Sequence, residues 1–433
     1  MNCGIELQQF FNLSMNLTFN KFFFSVLILL LPLSLPALGV LTHEAIIDAS
    51  WEKSIVPLLK AKYPASTDSM LTEAHAYAYG GAVAPDMGYY PLGSKLFTDL
   101  IHYVRSGAMV MALLKNANNI NEYAFALGFL SHYNADNYGH PLATNISVPL
   151  VYPKLGRRYG SKITYAQHRI SHMRMEFGFD VLEVAKGNYA SQAYHNFIGF
   201  KVDTSVLSRA FFETYGLTIE EVSGNRFKLA VETFRWIVAN VFPVITKSAW
   251  ASKKHHIIEQ HQTAASKKFT FKMRQRQYNK QFGKGYRRPG VSATMLSFFI
   301  RVLPKVGPTR ALRFKVPTPL AEKHFEQSFD TIIKNYSFNL NQLRSQNLGL
   351  KDLDFDTGRP AVSGEYTLAD DTYTTWLLKL KEGKFKNISY SLQQNILSFF
   401  CSTDTLNNNK NSSKKCVQFF DAYNELKVME IKQ

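Results

Sequence analysis

From Thr42 to Phe242 apolar residues recur three and four places apart almost without a break, whereas alternating β-branched runs are few and no Asn-Gly hairpin signal occurs. A chain patterned this way hides its apolar stripes by packing helix on helix, so an all-α bundle is expected. The clearest stretches are Glu122 to Tyr138 and Ala166 to Ala185, with Pro141 and Pro149 punctuating the gap between them. Beyond Pro317 helical patterns return at Ala321 to Gln346, Thr375 to Lys381 and Ser391 to Phe400, around a Gly/Asp-rich loop near Asp352 to Gly364. No internal repeat of fixed period occurs, and 433 residues suffice for two or three units with a sizeable core.

Seven of the twelve histidines fall between His43 and His172, several with a carboxylate at helical spacing. In LSHYNADNYGHP, His132 and Asp136 are four apart and share a helix face, and His140 extends that stripe by one turn. In HRISHMRMEFGFD the same geometry joins His172 and Glu176, with His168 one turn before. One such pair is most often a surface ion pair or a satisfied core histidine. Two pairs on separate helices, with His140 added, point instead to a metal site, because imidazole and carboxylate are what zinc takes where cysteine is lacking. Upstream, GGAVAPDMGYYP places Asp86 in a Gly-rich turn, DLIHY places His102 on the next helical pattern, and His43 opens the helical region. No convincing Ser or Cys nucleophile motif, phosphate-binding Gly-rich loop or dinucleotide fingerprint accompanies them.

This set resembles the zinc-dependent phospholipase C family, all-α enzymes in a superfamily shared with single-strand nucleases that use three zinc ions. The family order of ligands runs mature N-terminus, His, Asp, His, His-x-x-x-Asp, His, His-x-x-x-Glu, and roughly Leu38 to Phe200 supplies it. The resemblance implies two to three zinc ions: one on Asp86, His102, His132 and Asp136, a second on His140, His172 and Glu176, and a third shared through Asp136 with His43 and the backbone of Leu38. It implies water-driven attack on a phosphodiester, with Asp86 doubling as general base. Two features depart from the family pattern: Leu38-Gly39 stands where a tryptophan and glycine are usual, and Asp136 and His140 are closer in sequence than in the well-known bacterial phospholipases. His75 and His168 have no family counterpart and read as core or supporting histidines.

The formal net charge is +17, yet the segment from Lys247 to Lys315 alone holds seventeen Lys/Arg against the single acidic Glu259. Its first part interleaves charge with Phe269, Phe271, Tyr278, Phe282 and Tyr286, which suits single-stranded nucleic acid or a lipid headgroup layer. Its second part, around Arg301, Lys305, Arg310 and Arg313, reads as an amphipathic basic helix for an anionic membrane surface. The apolar run Phe22 to Leu35 follows Lys21, is broken by Pro32, and is shorter than the ~20 residues that span a bilayer, so it reads as a signal peptide cleaved after Ala37. Export to a bacterial periplasm or beyond is the expectation, with a disulfide between Cys401 and Cys416. The expected division is a signal peptide at 1–37, a phospholipase C-like catalytic bundle at 38–246, a basic amphipathic segment at 247–317 and a C-terminal helical extension at 318–433. Phospholipid is the first expectation for substrate. The alternatives are a single-strand nuclease or nucleotidase, and a non-catalytic zinc- and lipid-binding envelope protein.

Overall fold

In the computed structural model, which describes residues 39–186, 188–189, 198–260, 313–401 and 414–431, nearly every described element is a helix. The exception is one antiparallel pair of two-residue strands, β1 (Leu353–Asp354) and β2 (Arg359–Pro360). The elements that build or support the functional region are α1 (Val40–Ser50), α2 (Asp68–Val83), α3 (Lys95–Tyr103), α4 (Ile120–Gly139) and α5 (Tyr165–Ala185). They are followed by α6 (Phe242–Gln260), α7 (Pro319–Arg344), α8 (Thr367–Glu382), α9 (Tyr390–Cys401) and α10 (Lys414–Val428). The expected all-α class therefore holds.

Local chemistry sets the helix starts. Asn119 caps α4 by accepting the amides of Asn121 and Glu122, and Thr164 opens α5 with a capping box to Gln167. The two prolines between these helices do not break the chain as expected. Pro141 sits second in a wide turn, His140–Thr144, where the amide of Asn145 reaches back to the His140 carbonyl. Helix runs on through Asn145–Val151 with Pro149 inside it. The wider ring makes room for a residue without an N–H, so His140 stays on the face that carries His132 and Asp136. The helix expected at Thr375–Lys381 begins eight residues earlier, because Ala369, Thr372 and Tyr373 are already buried with Trp376 and Leu377.

One large apolar core joins the N-terminal helices to the C-terminal ones, with Phe125, Tyr215, Phe325, Tyr336 and Trp376 all in it. Polar ties cross the same boundary. Tyr336 donates to the Leu127 carbonyl (2.9 Å), Asn339 to Asn134 Oδ1 (2.9 Å) and the Trp376 indole to the Tyr215 carbonyl (2.8 Å). Cys401, exposed at the end of α9, is a free thiol, so the expected bridge to Cys416 is not formed. The signal peptide lies outside the described residues, and of the basic segment only 247–260 and 313–315 lie within them. No helix among the described residues is long and apolar enough to cross a membrane.

Burial pushes Glu183, on the inner face of α5, up to about 7, against an opposing hydrogen bond from Asn188. A carboxyl raised in the folded state favours folding fully only below its unfolded value near 4.5, and that contribution is lost as pH rises through about 7. Glu183→Gln should therefore stabilise the protein at pH 8 by roughly 2–3 kcal/mol and leave it unchanged at pH 4.5. Denaturant melts at both pH values check this; equal effects at the two would refute it.

Candidate metal centre

The centre lies where α1, α3, α4 and α5 converge on the turn after α2. His43 stands one turn into α1, which is anchored from α5: Asp180 accepts the amides of Leu41 (3.2 Å) and Thr42 (3.1 Å) and the Thr42 hydroxyl (2.7 Å). Asp86 occupies the short turn Ala84–Tyr89. Thr98 of α3 pins that turn, donating to the Pro85 carbonyl (2.8 Å) and accepting from the Gly88 amide (2.7 Å). A Cβ at Gly88 would lie 2.0 Å from the Ser94 carbonyl, which is why the GGAVAPDMGYYP turn needs glycine there.

Asp136 is the hub. His132 Nε2 is 3.1 Å and His102 Nε2 3.5 Å from its Oδ2, while His43 Nε2 is 3.5 Å and His140 Nε2 3.9 Å from its Oδ1. Asp86 joins from the far side, 3.3 Å from His102 Nε2. In the adjoining cluster Glu176 Oε1 is 3.0 Å from both His140 Nε2 and His172 Nε2. Every one of these side chains is buried except His140, whose side chain keeps 13 % exposure.

Hydrogen bonding fixes which nitrogen faces inward. His132 Nδ1 donates to the Ala82 carbonyl and His102 Nδ1 to the Thr98 carbonyl, each at 2.9 Å. Since a carbonyl only accepts, both Nδ1 atoms carry the proton, and the Nε2 lone pairs face carboxylates. A lone pair against a carboxylate is tolerated in a buried site only with a cation between them. His132 Nε2, His172 Nε2, Asp86 Oδ1 and Glu176 Oε2 are all buried without a hydrogen-bond partner, as ligands awaiting a cation would be.

Protons alone meet this demand unevenly. Burial opposes charge on His102, but contacts with Asp136 and Asp86 outweigh it and carry the group up to about 10. Burial and the neighbouring His132 push His43 down to about 4, so it stays a neutral donor of a lone pair. Burial would raise Asp136, yet His132 and His140 hold its carboxyl well below the usual range. Five histidines and three carboxylates on two adjoining clusters fit divalent cations of the zinc type, and the residues present fit that group. His43, His132 and Asp136 form one possible ligand group, and Asp86, His102 and His132 another.

Of the residues expected from sequence, His43, Asp86, His102, His132, Asp136, His140, His172 and Glu176 are thus brought together, while Leu38 lies outside the described residues. His75 and His168 stand apart. His75 pairs with Asp48 (2.9 Å) and stacks on Trp51. His168 breaks the first turn of α5 (φ −154°, ψ 73°), and its Nδ1 accepts the Ser171 amide. The sequence pattern did not single out Asp180 or Asp356. Asp180 was within reach, four residues beyond Glu176 on the same face. Asp356 was not, since it lies in the loop between β1 and β2 and its oxygen is 3.2 Å from His140 Nδ1.

A cleft of about 430 Å³ opens onto the hub. His43, Asp136, His140 and Glu176 are among the residues that line it, together with the apolar Phe179, Phe325 and Ile332. Residues 42–225 match the family model described as zinc dependent phospholipase C. No curated protein and no solved structure matches the chain.

Proposed function

Through residues 42–225 the chain belongs to the zinc-dependent phospholipase C family, and on that premise we propose that it is a zinc-dependent phosphodiester hydrolase cleaving phospholipids on the phosphate side of the glycerol. The observation that carries this is Asp136, with four histidine Nε2 atoms within 3.9 Å, among the residues that line a cleft. Zinc held by these residues would supply Lewis-acid activation of water and of the phosphate oxygens. In this reading one ion would rest on Asp86, His102, His132 and Asp136 and a second on His140, His172 and Glu176. A third, on His43, Asp136 and the backbone of Leu38, is the family's further position.

The side chains have separable tasks. Asp86, whose Oδ1 lies 3.3 Å from His102 Nε2 and has no hydrogen-bond partner, would take a proton from the attacking water. Carbonyl bonds from Ala82 and Thr98 keep His132 and His102 from rotating, so the hub is organised before substrate arrives. The apolar lining residues Phe179, Phe325 and Ile332 suit the glycerol and first acyl carbons of a lipid, and favour lipid over nucleic acid as substrate. Export through a cleaved leader, with the basic segment docking on an anionic surface, completes the reading.

The test assays full-length protein on phosphatidylcholine vesicles and on single-stranded DNA, before and after chelator dialysis. Expected are lipid turnover with release of phosphorylated headgroup, loss of essentially all activity on chelation, and recovery with zinc. Chelator-insensitive turnover would overturn the mechanism, and DNA cleavage without lipid turnover would reassign the substrate. Removal of 247–315 is expected to slow turnover of anionic vesicles more than that of a small soluble phosphodiester.

A further inference from the structure

The family match ends at residue 225, yet the loop between β1 and β2 reaches the metal centre from well beyond it. Phe355 donates its amide to the His102 carbonyl (3.1 Å) and sets its ring against His102 and His132, with centroids 5.2 and 5.8 Å away. Asn145 donates to the carbonyl of Asp356 (2.8 Å). Gly358, at φ +68°, lies so close to α4 that a Cβ would be 2.4 Å from the Asn137 carbonyl. Below the loop, Ser106 exchanges hydrogen bonds with Leu353 at 2.7 and 2.9 Å. The loop is therefore fixed in position by the catalytic helices.

Its carboxylate is buried and its two oxygens are divided. Oδ2 of Asp356 accepts from the hydroxyls of Tyr103 (3.1 Å) and Tyr366. Oδ1 stands 3.2 Å from His140 Nδ1, a buried nitrogen that makes no hydrogen bond elsewhere among the described residues. The other nitrogen of the ring, Nε2, faces Glu176 and Asp136. A neutral imidazole gives a metal one nitrogen, and the proton on the other needs an acceptor that fixes tautomer and ring plane. With Oδ2 engaged by two phenols, Oδ1 is left for that proton. We propose that Asp356 is the positioning residue of His140, so that the C-terminal region, absent from the family match, supplies a working part of the metal centre. This rests on the zinc reading above. His140, His172 and Asp356 also stand close enough to form a ligand triad of their own, so the test must separate holding the ring from holding the metal.

Wild type, Asp356→Ala and Asp356→Asn are compared as full-length chains for zinc retained against graded chelator and for the visible spectrum of the cobalt-substituted protein. The alanine variant should release the zinc of the His140 cluster about 10–100-fold more readily than wild type, with an altered cobalt spectrum. The asparagine variant, whose Oδ1 still accepts the Nδ1 proton, should recover most of the retention and the wild-type spectrum. Asparagine failing as badly as alanine would make Asp356 a direct ligand and overturn the positioning role. So would an alanine variant that holds zinc as tightly as wild type. If the alanine chain does not fold, a Tyr103→Phe, Tyr366→Phe double variant frees Oδ2 without touching a ligand. Weakened retention there supports the link, and unchanged retention overturns it. Wild-type protein without zinc would bring down the proposed function and this inference together.

Discussion

An Asp136→Asn chain should fold, bind less zinc than wild type, and hydrolyse phosphatidylcholine about 10³-fold more slowly or worse. The two carboxylate oxygens divide four histidines between them, His132 and His102 at Oδ2, His43 and His140 at Oδ1. An amide of the same shape keeps one acceptor, turns a donor towards the other pair and removes the charge, so both sides of the hub are unbalanced at once. Metal stabilisation of a phosphoryl transition state is worth several kcal/mol, and about 4 kcal/mol is three powers of ten in rate. His168→Ala is the matched control. It removes a histidine from the same region, but one engaged with the Ser171 amide in a kinked turn, and zinc content should not change. Elemental analysis beside vesicle assays decides the matter. Full zinc with near wild-type turnover would reduce Asp136 to an ion-pair partner and dissolve the hub.

The residues of the hub were legible because helical geometry is short-range. His132 and Asp136, and His172 and Glu176, share faces by spacing alone, and α4 and α5 begin within about two residues of where the apolar pattern does. What escaped needs longer reach or a local break. Asp356 meets His140 across more than two hundred residues, from a hairpin loop with no periodicity to advertise it. Asp180 holds the correct spacing but is aimed at the amides of α1, a role that no pattern on its own helix specifies. By spacing alone His168 belongs one turn before His172, and its φ and ψ remove it from that face. Pro141 and Pro149 signal a stop by composition, yet a wide turn absorbs the missing N–H and keeps His140 in register. Backbone exceptions of this kind are settled by packing, which a linear pattern does not carry.

Gly128→Ala should be among the most destabilising single changes in the protein, at roughly 3–5 kcal/mol, and should cost zinc as well. Along α4 the small residues Ala124, Gly128, Ser131 and Ala135 follow one another at helical spacing, and α2 answers with Ala74, Ala78 and Gly81. A Cβ on Gly128 would stand 2.0 Å from the Ala78 carbonyl, and one on Gly81 would stand 2.0 Å from the Phe125 carbonyl. Both obstacles are backbone, so a rotamer change cannot relieve them, and α2 and α4 must separate. That separation acts directly on the site. His132 follows Gly128 by one turn and donates Nδ1–H to Ala82, one turn beyond Ala78. A wider spacing lengthens this 2.9 Å bond, releases the ring and moves Asp86, which follows α2 in the next turn. Gly349→Ala is the comparison, since nothing lies within 4 Å of a Cβ there, and its effect should stay within about 0.5 kcal/mol. Melting curves with zinc analysis test the coupling. A Gly128→Ala protein that melts with wild type would show the interface able to dilate, whereas one that is destabilised but holds all its zinc would detach the helix spacing from the metal centre.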